Sequence, residues 1–138
     1  MRAKRIRDTR KNERGQSLVE FALVVPMLLL LVFGIAELGR AWMTKNILTG
    51  AVREAARIAA VPVPGTTMGW NGPAATARGN QILVAAGIPP TVSVSDPGTE
   101  NGDVIATVTY NFPVAIAGFI PGLGNIALTS TTTMRREY

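Results

Sequence analysis

The sequence contains neither cysteine nor histidine. The absence of cysteine excludes a disulfide framework and a Cys-ligated metal site. The absence of both residues also removes the most frequent general base and the most potent nucleophile. We therefore expect a protein that is not an enzyme, with no catalytic residues, no metal, no cofactor and no small-molecule substrate. A membrane-tethered enzyme that uses Asp/Glu or Ser/Lys chemistry stays open as a third hypothesis.

Basic charge is scarce outside the first residues of the chain. Residues 1–14 hold seven basic and two acidic groups, which accounts for the whole net charge of +5. The chain after Gly15 holds seven groups of each sign. A nucleic-acid-binding protein spreads its basic groups over a folded face, so we expect no nucleic-acid partner. The length of 138 residues suits an anchor with one modest domain.

Charge is also missing from a long apolar run, which begins at Phe21 and ends at Ala36. Residues 18–38 would span about 31 Å as a helix, close to the hydrocarbon thickness of a bilayer. We predict a transmembrane helix over residues 16–40, in which a membrane tolerates Pro26. The basic groups before it predict a cytoplasmic N-terminus and an exported domain over residues 41–138. The competing interpretation, a cleaved secretory signal peptide, requires a shorter run and a small-x-small site, which this run lacks.

Glu20 is an unusual residue at the start of this run. A carboxylate that enters a bilayer costs a few kcal/mol unless it is paired. One interpretation is local: Ser17 and Glu20 match a capping box, with Gly15 outside the helix. The other is that Glu20 pairs with a group on another molecule. The spacing alone leaves both interpretations open.

The segment from Arg14 to Ala60 resembles the N-terminal region of the TadE-like family, the pilin-like (pseudopilin) proteins of tight-adherence, or Flp-type, pilus systems. The resemblance rests on short motifs in a particular order: Arg14-Gly15, Val19-Glu20-Phe21-Ala22, Pro26, the exit from Gly34 to Gly39, and Ala51 with Ala55-Ala56-Arg57.

This resemblance implies a role for each junction residue. Gly15 would be the last residue of a leader over residues 1–15, which a prepilin peptidase removes. Gln16 would become the new N-terminus. Glu20 would then pair with the free N-terminal amine of a neighbouring subunit, and Phe21 would follow it in the docking helix.

The implied function is that of a minor pilin-like membrane protein in assembly of a tight-adherence pilus. Its partners would be the lipid bilayer, the prepilin peptidase, other pilin or pseudopilin subunits and the assembly machinery. Its place would be the bacterial inner membrane, with entry into an extracellular pilus after processing as a further outcome. The alternative is an unprocessed, single-pass protein-interaction module of the cell envelope.

The rest of the chain predicts an α+β fold. Residues 41–60 continue the helix with a stripe of small residues, which packs either on its own domain or on a partner. A loop with Trp70 covers residues 61–73, and a short helix covers residues 74–86. Alternating residues then predict a three-stranded antiparallel sheet over 91–95, 103–110 and 125–134.

Two loops of this region are candidate sites. Residues 113–124 carry no charge, so Phe119 and Ile120 either contact the membrane interface or another subunit, or fold back over the sheet. Asp96, Glu100 and Asp103 cluster near a turn. We interpret them as a solvated turn, because they match no calcium-loop spacing.

Overall fold

The computed structural model describes residues 9–61, 63, 71–95, 98, 102–120 and 122–136, with the side chains of 9–14 and 119 left aside. The expected α+β architecture is confirmed. The described elements follow the order helix, helix, strand, strand, short 3-10 helix and strand. They are α1 (Thr9–Ala60), α2 (Gly72–Ala85), β1 (Val92–Ser95), β2 (Asp103–Phe112), η1 (Ala115–Phe119) and β3 (Ile126–Arg135).

The α1 helix extends further towards the N-terminus than residue 16, the predicted start of the transmembrane helix. It is already formed at Thr9 and continues through Pro26 to Ala60, a length of about 78 Å. Lys, Arg, Glu and Gln, which favour helices, make up much of residues 10–16. The capping-box interpretation is therefore wrong for this chain, because Ser17 lies inside the helix and not at its first turn. Gly15, expected outside the helix, also lies within it.

The sheet is an antiparallel meander with the strand order β1-β2-β3. Val92 pairs with Val108 across β1 and β2, and Val104 pairs with Met134 across β2 and β3. Alternate residues of β2 point inward, and the buried ones are Val104, Ala106, Val108 and Phe112. The opposite face carries threonines whose hydroxyls pair across β2 and β3, at 3.3 Å for Thr107–Thr131 and 3.1 Å for Thr109–Thr129.

The core lies between this inner sheet face, α2 and the C-terminal part of α1. The small-residue stripe of α1 packs on its own domain, one of the two alternatives that the sequence left open. Its fully buried residues are Leu48, Ala51, Val52, Ala55, Ala56 and Ala59. Two polar contacts hold α1 on β3 beside this stripe: Lys45 Nζ donates to the Thr129 carbonyl, and the Thr49 and Ser130 hydroxyl oxygens are 3.0 Å apart.

The α2 helix is closed by a left-handed glycine, as predicted. Gly87 has φ +73°, and its amide donates to the Val84 carbonyl at 3.0 Å. The next amide, that of Ile88, donates to the Leu83 carbonyl at 2.9 Å. These two bonds form a Schellman motif, which satisfies carbonyls at the helix end and turns the chain towards β1.

Several sequence predictions fall on residues that the structure does not describe. Trp70, Asp96 and Glu100 lie outside the described residues, so the loop and turn predictions for them stay predictions. Asp103 is the first residue of β2.

Candidate processing and assembly site

The four predicted junction residues, Gly15, Gln16, Glu20 and Phe21, all lie on α1 and are all exposed. The structure brings two of them into contact: the Gln16 side-chain amide donates to Glu20 Oε1 at 3.1 Å. This is the i, i+4 geometry in which side chains one helical turn apart meet. The residue that would become the new N-terminus therefore lies on the same helix face as the carboxylate.

Open space surrounds the predicted scissile bond. A Cβ atom added to Gly15 would meet no described atom within 4 Å apart from its chain neighbours and the helix backbone. The bond is nevertheless helical, and a peptidase that cleaved it would have to unwind it locally. A glycine inside a helix lowers its stability by about 1 kcal/mol relative to alanine, which makes local unwinding easier at this position.

Glu20 lies among exposed apolar side chains. Leu18 and Phe21, its neighbours along the helix, are 69% and 67% exposed. Among the side chains that the structure describes, no basic group forms a salt bridge with Glu20. A carboxylate on an apolar helix surface that enters a membrane gains strongly from an opposite charge, because attraction increases as the dielectric constant falls.

The helix around this carboxylate is long and apolar enough to cross a membrane. Its most apolar 18-residue window has a mean hydropathy of 2.7, and none of that window is buried against the rest of the protein. The side chains that it exposes include Leu23, Met27, Leu31, Phe33 and Ile35. Such a surface is unstable in water, and the helix indicates single-pass membrane anchoring.

Glu37, at the domain-side end of the apolar run, has a structural role that the sequence did not reveal. Its side chain is only 13% exposed, and its Oε1 accepts from Arg40 at 2.7 Å and from the Ala115 backbone amide at 3.3 Å. The Arg40 guanidinium lies 5.1 Å from the centre of the Phe112 ring, in cation–π geometry. The pairing of Glu37 with Arg40 at i, i+3 was visible in the sequence, but the contact with Ala115 was not.

The uncharged segment that follows β2 packs against α1 near Glu37. Ile116 of η1 lies beside Pro26, Leu29, Leu30 and Phe33 of the apolar run. Ile120 remains 37% exposed. The side chain of Phe119 lies outside the described part of the protein, so its predicted contact role stays a prediction. The segment lies along α1. The sequence predicted either a contact with the membrane interface or another subunit, or a loop folded over the sheet, and neither alternative specified packing against α1.

Farther from the apolar run, Glu54 and Arg57 form the surface ion pair that their spacing predicts, at 2.8 Å. The hydrogen bond from Arg57 lowers the pKa of the Glu54 carboxyl, and the same bond raises the pKa of Arg57. Arg57 is exposed and Glu54 is partly exposed, so the pair fixes local geometry on α1 and contributes little to stability.

The fold is a small α+β domain on a long apolar helix, an arrangement that indicates single-pass membrane anchoring. The TadE-like protein family model matches residues 15–57, which include all four junction residues and most of the small-residue stripe. The predicted resemblance to the TadE-like family is confirmed over these residues. No curated protein and no solved structure matches the chain.

Proposed function

We propose that this chain is a minor pilin-like (pseudopilin) protein that takes part in assembly of a tight-adherence pilus after a prepilin peptidase cleaves it between Gly15 and Gln16. The observation that carries the proposal is Glu20: an exposed carboxylate on an apolar helix, inside the TadE-like segment, with no basic partner among the described side chains. Such a residue requires a partner when the helix enters a membrane.

The partner in this proposal is the N-terminal amine of a neighbouring subunit. Cleavage creates that amine at Gln16, one helical turn from Glu20 on the same chain. In the uncleaved chain Gln16 donates to Glu20 Oε1, and the second carboxylate oxygen is the proposed acceptor for the neighbour's ammonium group. Opposite charges attract far more strongly in a low-dielectric medium than in water, and the pair offsets the desolvation of both groups.

Cleavage also changes the charge of the protein. The leader carries the whole net charge of +5, and the remaining chain has equal numbers of acidic and basic side chains. Before cleavage, the basic leader would hold the N-terminus on the cytoplasmic side. After cleavage, a helix with no basic leader would be free to pack against other pilin or pseudopilin helices. The role is structural, with no catalytic residue and no cofactor.

The second candidate is an unprocessed, single-pass interaction module of the cell envelope. One observation favours it: α1 continues without interruption from Thr9 through Gly15 into the apolar run. A continuous helix across the predicted cleavage site is a suitable structure for a permanent anchor. The prepilin peptidase would then not be a partner, and Glu20 would need another pairing group in the membrane.

Replacement of Glu20 by Ala tests the assembly role. In cells that make the pilus, we expect Glu20→Ala to be cleaved normally, which an electrophoretic shift of the full-length protein reports. Pilus number should fall at least about tenfold, a loss that corresponds to about 1.4 kcal/mol of docking free energy. Glu54→Ala is the matched control, because it removes an exposed carboxylate of the same helix far from the junction. Normal pili with Glu20→Ala would refute the assembly role, and loss of cleavage would assign Glu20 to peptidase recognition instead.

A further inference from the structure

The described part of the uncharged segment, residues 113–120 and 122–124, lies alongside the membrane-spanning part of α1. Ile116 and the apolar run form a groove of about 360 Å³, lined by Pro26, Leu29, Leu30 and Phe33. Leu29 and Leu30 are 47% and 45% exposed, less than Leu23 at 68%, so Ile116 covers part of the helix surface there. We call residues 113–124 the apolar loop.

The position of Ile116 along α1 gives the depth of the apolar loop. Phe33 and Leu30 lie five and eight residues before Leu38, the end of the stretch 18–38 that matches the hydrocarbon thickness. At about 1.5 Å per residue these distances are roughly 8 and 12 Å. Half of the hydrocarbon core is about 15 Å thick. If the helix spans the membrane as proposed, Ile116 lies below the membrane surface, within the leaflet on the side of the α+β domain.

Backbone groups at such a depth require hydrogen-bond partners, because lipid offers none. Three amides of the apolar loop have partners inside the protein. The Ala115 amide donates to Glu37 Oε1 at 3.3 Å, Ala117 to the Val114 carbonyl at 3.2 Å, and Leu123 to the Ile120 carbonyl at 3.1 Å. Glu37 thus supplies an acceptor at the point where the loop meets the helix, and these three amides do not depend on water for a partner.

Along this end of the helix the side chains change from apolar to polar, as the surroundings change from the hydrocarbon core of a bilayer to its interface. The apolar loop has no charged residue. A second groove, of about 220 Å³, continues the apolar surface between Leu38, Ala41 and Val114. Beyond it lie Arg40, half exposed, and Trp42, 70% exposed. Arginine and tryptophan are typical of the interface between hydrocarbon and water.

We propose that the apolar loop inserts into the leaflet on the side of the domain and contacts lipid acyl chains. The groove beside Ile116 is continuous with the lipid-facing surface of the span, so the acyl chains that surround the span also fill the groove. The loop would act as an apolar wedge that fixes the height and tilt of the α+β domain on the membrane. This inference rests on the proposed membrane anchoring and goes beyond the proposed role in pilus assembly.

Single-cysteine labelling tests this proposal cleanly, because the natural chain has no cysteine. Ile120→Cys carries a bimane probe on the loop, and Gly118→Cys is a second loop position where an added Cβ meets no atom within 4 Å. Leu28→Cys, in the span, is the positive control. Thr107→Cys, partly exposed on the outer sheet face, is the control for a position outside the membrane. The full-length protein is reconstituted in phosphatidylethanolamine–phosphatidylglycerol vesicles, at low protein-to-lipid ratio.

The measured quantity is the quenching of each bimane probe by spin-labelled phospholipids and by aqueous iodide. We expect lipid quenching of the Ile120 and Gly118 probes several-fold above that of the Thr107 probe and close to that of the Leu28 probe. Both loop probes open to iodide, with Leu28 protected, would overturn the loop insertion and leave the anchor intact. Loop probes protected from both quenchers would also overturn it and point to a second copy of the chain. A Leu28 probe open to iodide would refute the anchoring itself.

Discussion

The Glu37 carboxylate accepts a hydrogen bond from the backbone amide of Ala115, which lies 78 residues further along the chain. Oε1 of the same carboxylate also accepts from Arg40 at 2.7 Å, while Oε2 is buried and has no hydrogen-bond partner among the residues that the structure describes. One acidic side chain therefore links the end of the apolar helix to the start of η1. A partly buried carboxylate needs such partners, because its desolvation is costly.

Loss of this acceptor should loosen the start of η1. In Glu37→Ala the Ala115 amide loses its partner, and a hydrogen bond to an ionised group contributes about 1.5–3 kcal/mol, so local opening should become roughly 10- to 150-fold more frequent. Hydrogen exchange of the full-length protein in detergent micelles measures this at residues 114–119. Glu37→Gln is the matched control, since its amide oxygen can still accept the bond. Equal exchange in Glu37→Ala and the natural protein would contradict the role of Glu37.

Gly79 is expected to be intolerant of a larger side chain. An added Cβ would lie 3.0 Å from Val92 and 3.2 Å from the Ala55 Cβ, so α2 would have to move away from both α1 and β1. Overpacking of this kind costs about 1–3 kcal/mol. We therefore expect Gly79→Val to lower the free energy of unfolding of the detergent-solubilised protein by about that amount, measured by denaturant titration.

Gly50 provides the matched control for that experiment. It lies in the interior of α1, is exposed, and an added Cβ there would meet nothing within 4 Å. Gly50→Ala should stabilise the helix by about 0.5–1 kcal/mol, because alanine loses less backbone entropy than glycine on folding. If both glycine substitutions changed stability in the same direction, the close packing of α2 would not explain the glycine at position 79.

The Glu54–Arg57 pair should give a small, pH-dependent contribution to stability. The pKa of Glu54 is lowered in the folded protein from its ordinary value of 4.5, mainly by the hydrogen bond from Arg57. Folding therefore favours the ionised carboxyl, and the contribution is present above pH 4.5 and lost as pH falls through the lowered pKa. Thermal unfolding of the natural protein and of Glu54→Gln should differ slightly at neutral pH and converge in acid. A difference that grew in acid would contradict this assignment.

Much of the α+β domain could be predicted because its signals are local. The alternation of Val104, Ala106 and Val108 predicts a strand with one buried face, and the structure buries all three. The glycine at position 87 predicts the end of α2, and the left-handed backbone there confirms it. In both cases the residues that specify the element are neighbours in sequence, so their pattern is sufficient.

The predictions that the structure contradicts, and the contacts that the sequence did not predict, also have physical reasons. Ser17 and Glu20 match a capping box, but a capping box needs a chain that leaves the helix before Ser17, and the leader residues are themselves good helix formers. Glycine is a poor helix former, but Gly79 lies inside α2 because it lets Ala55 and Val92 approach closely, a contact that no local pattern specifies. The contact between Glu37 and Ala115 depends on the tertiary fold, and no local pattern specifies it.

The most direct test of the account is the N-terminus of the protein in native membranes. Mass spectrometry of the protein from cells with an active prepilin peptidase should find a chain that begins at Gln16. Cells without the peptidase should contain the full leader. A chain that keeps Met1 or Arg2 in cells with the active peptidase would contradict processing at Gly15, and with it the proposed pairing of Glu20 with a newly formed amine.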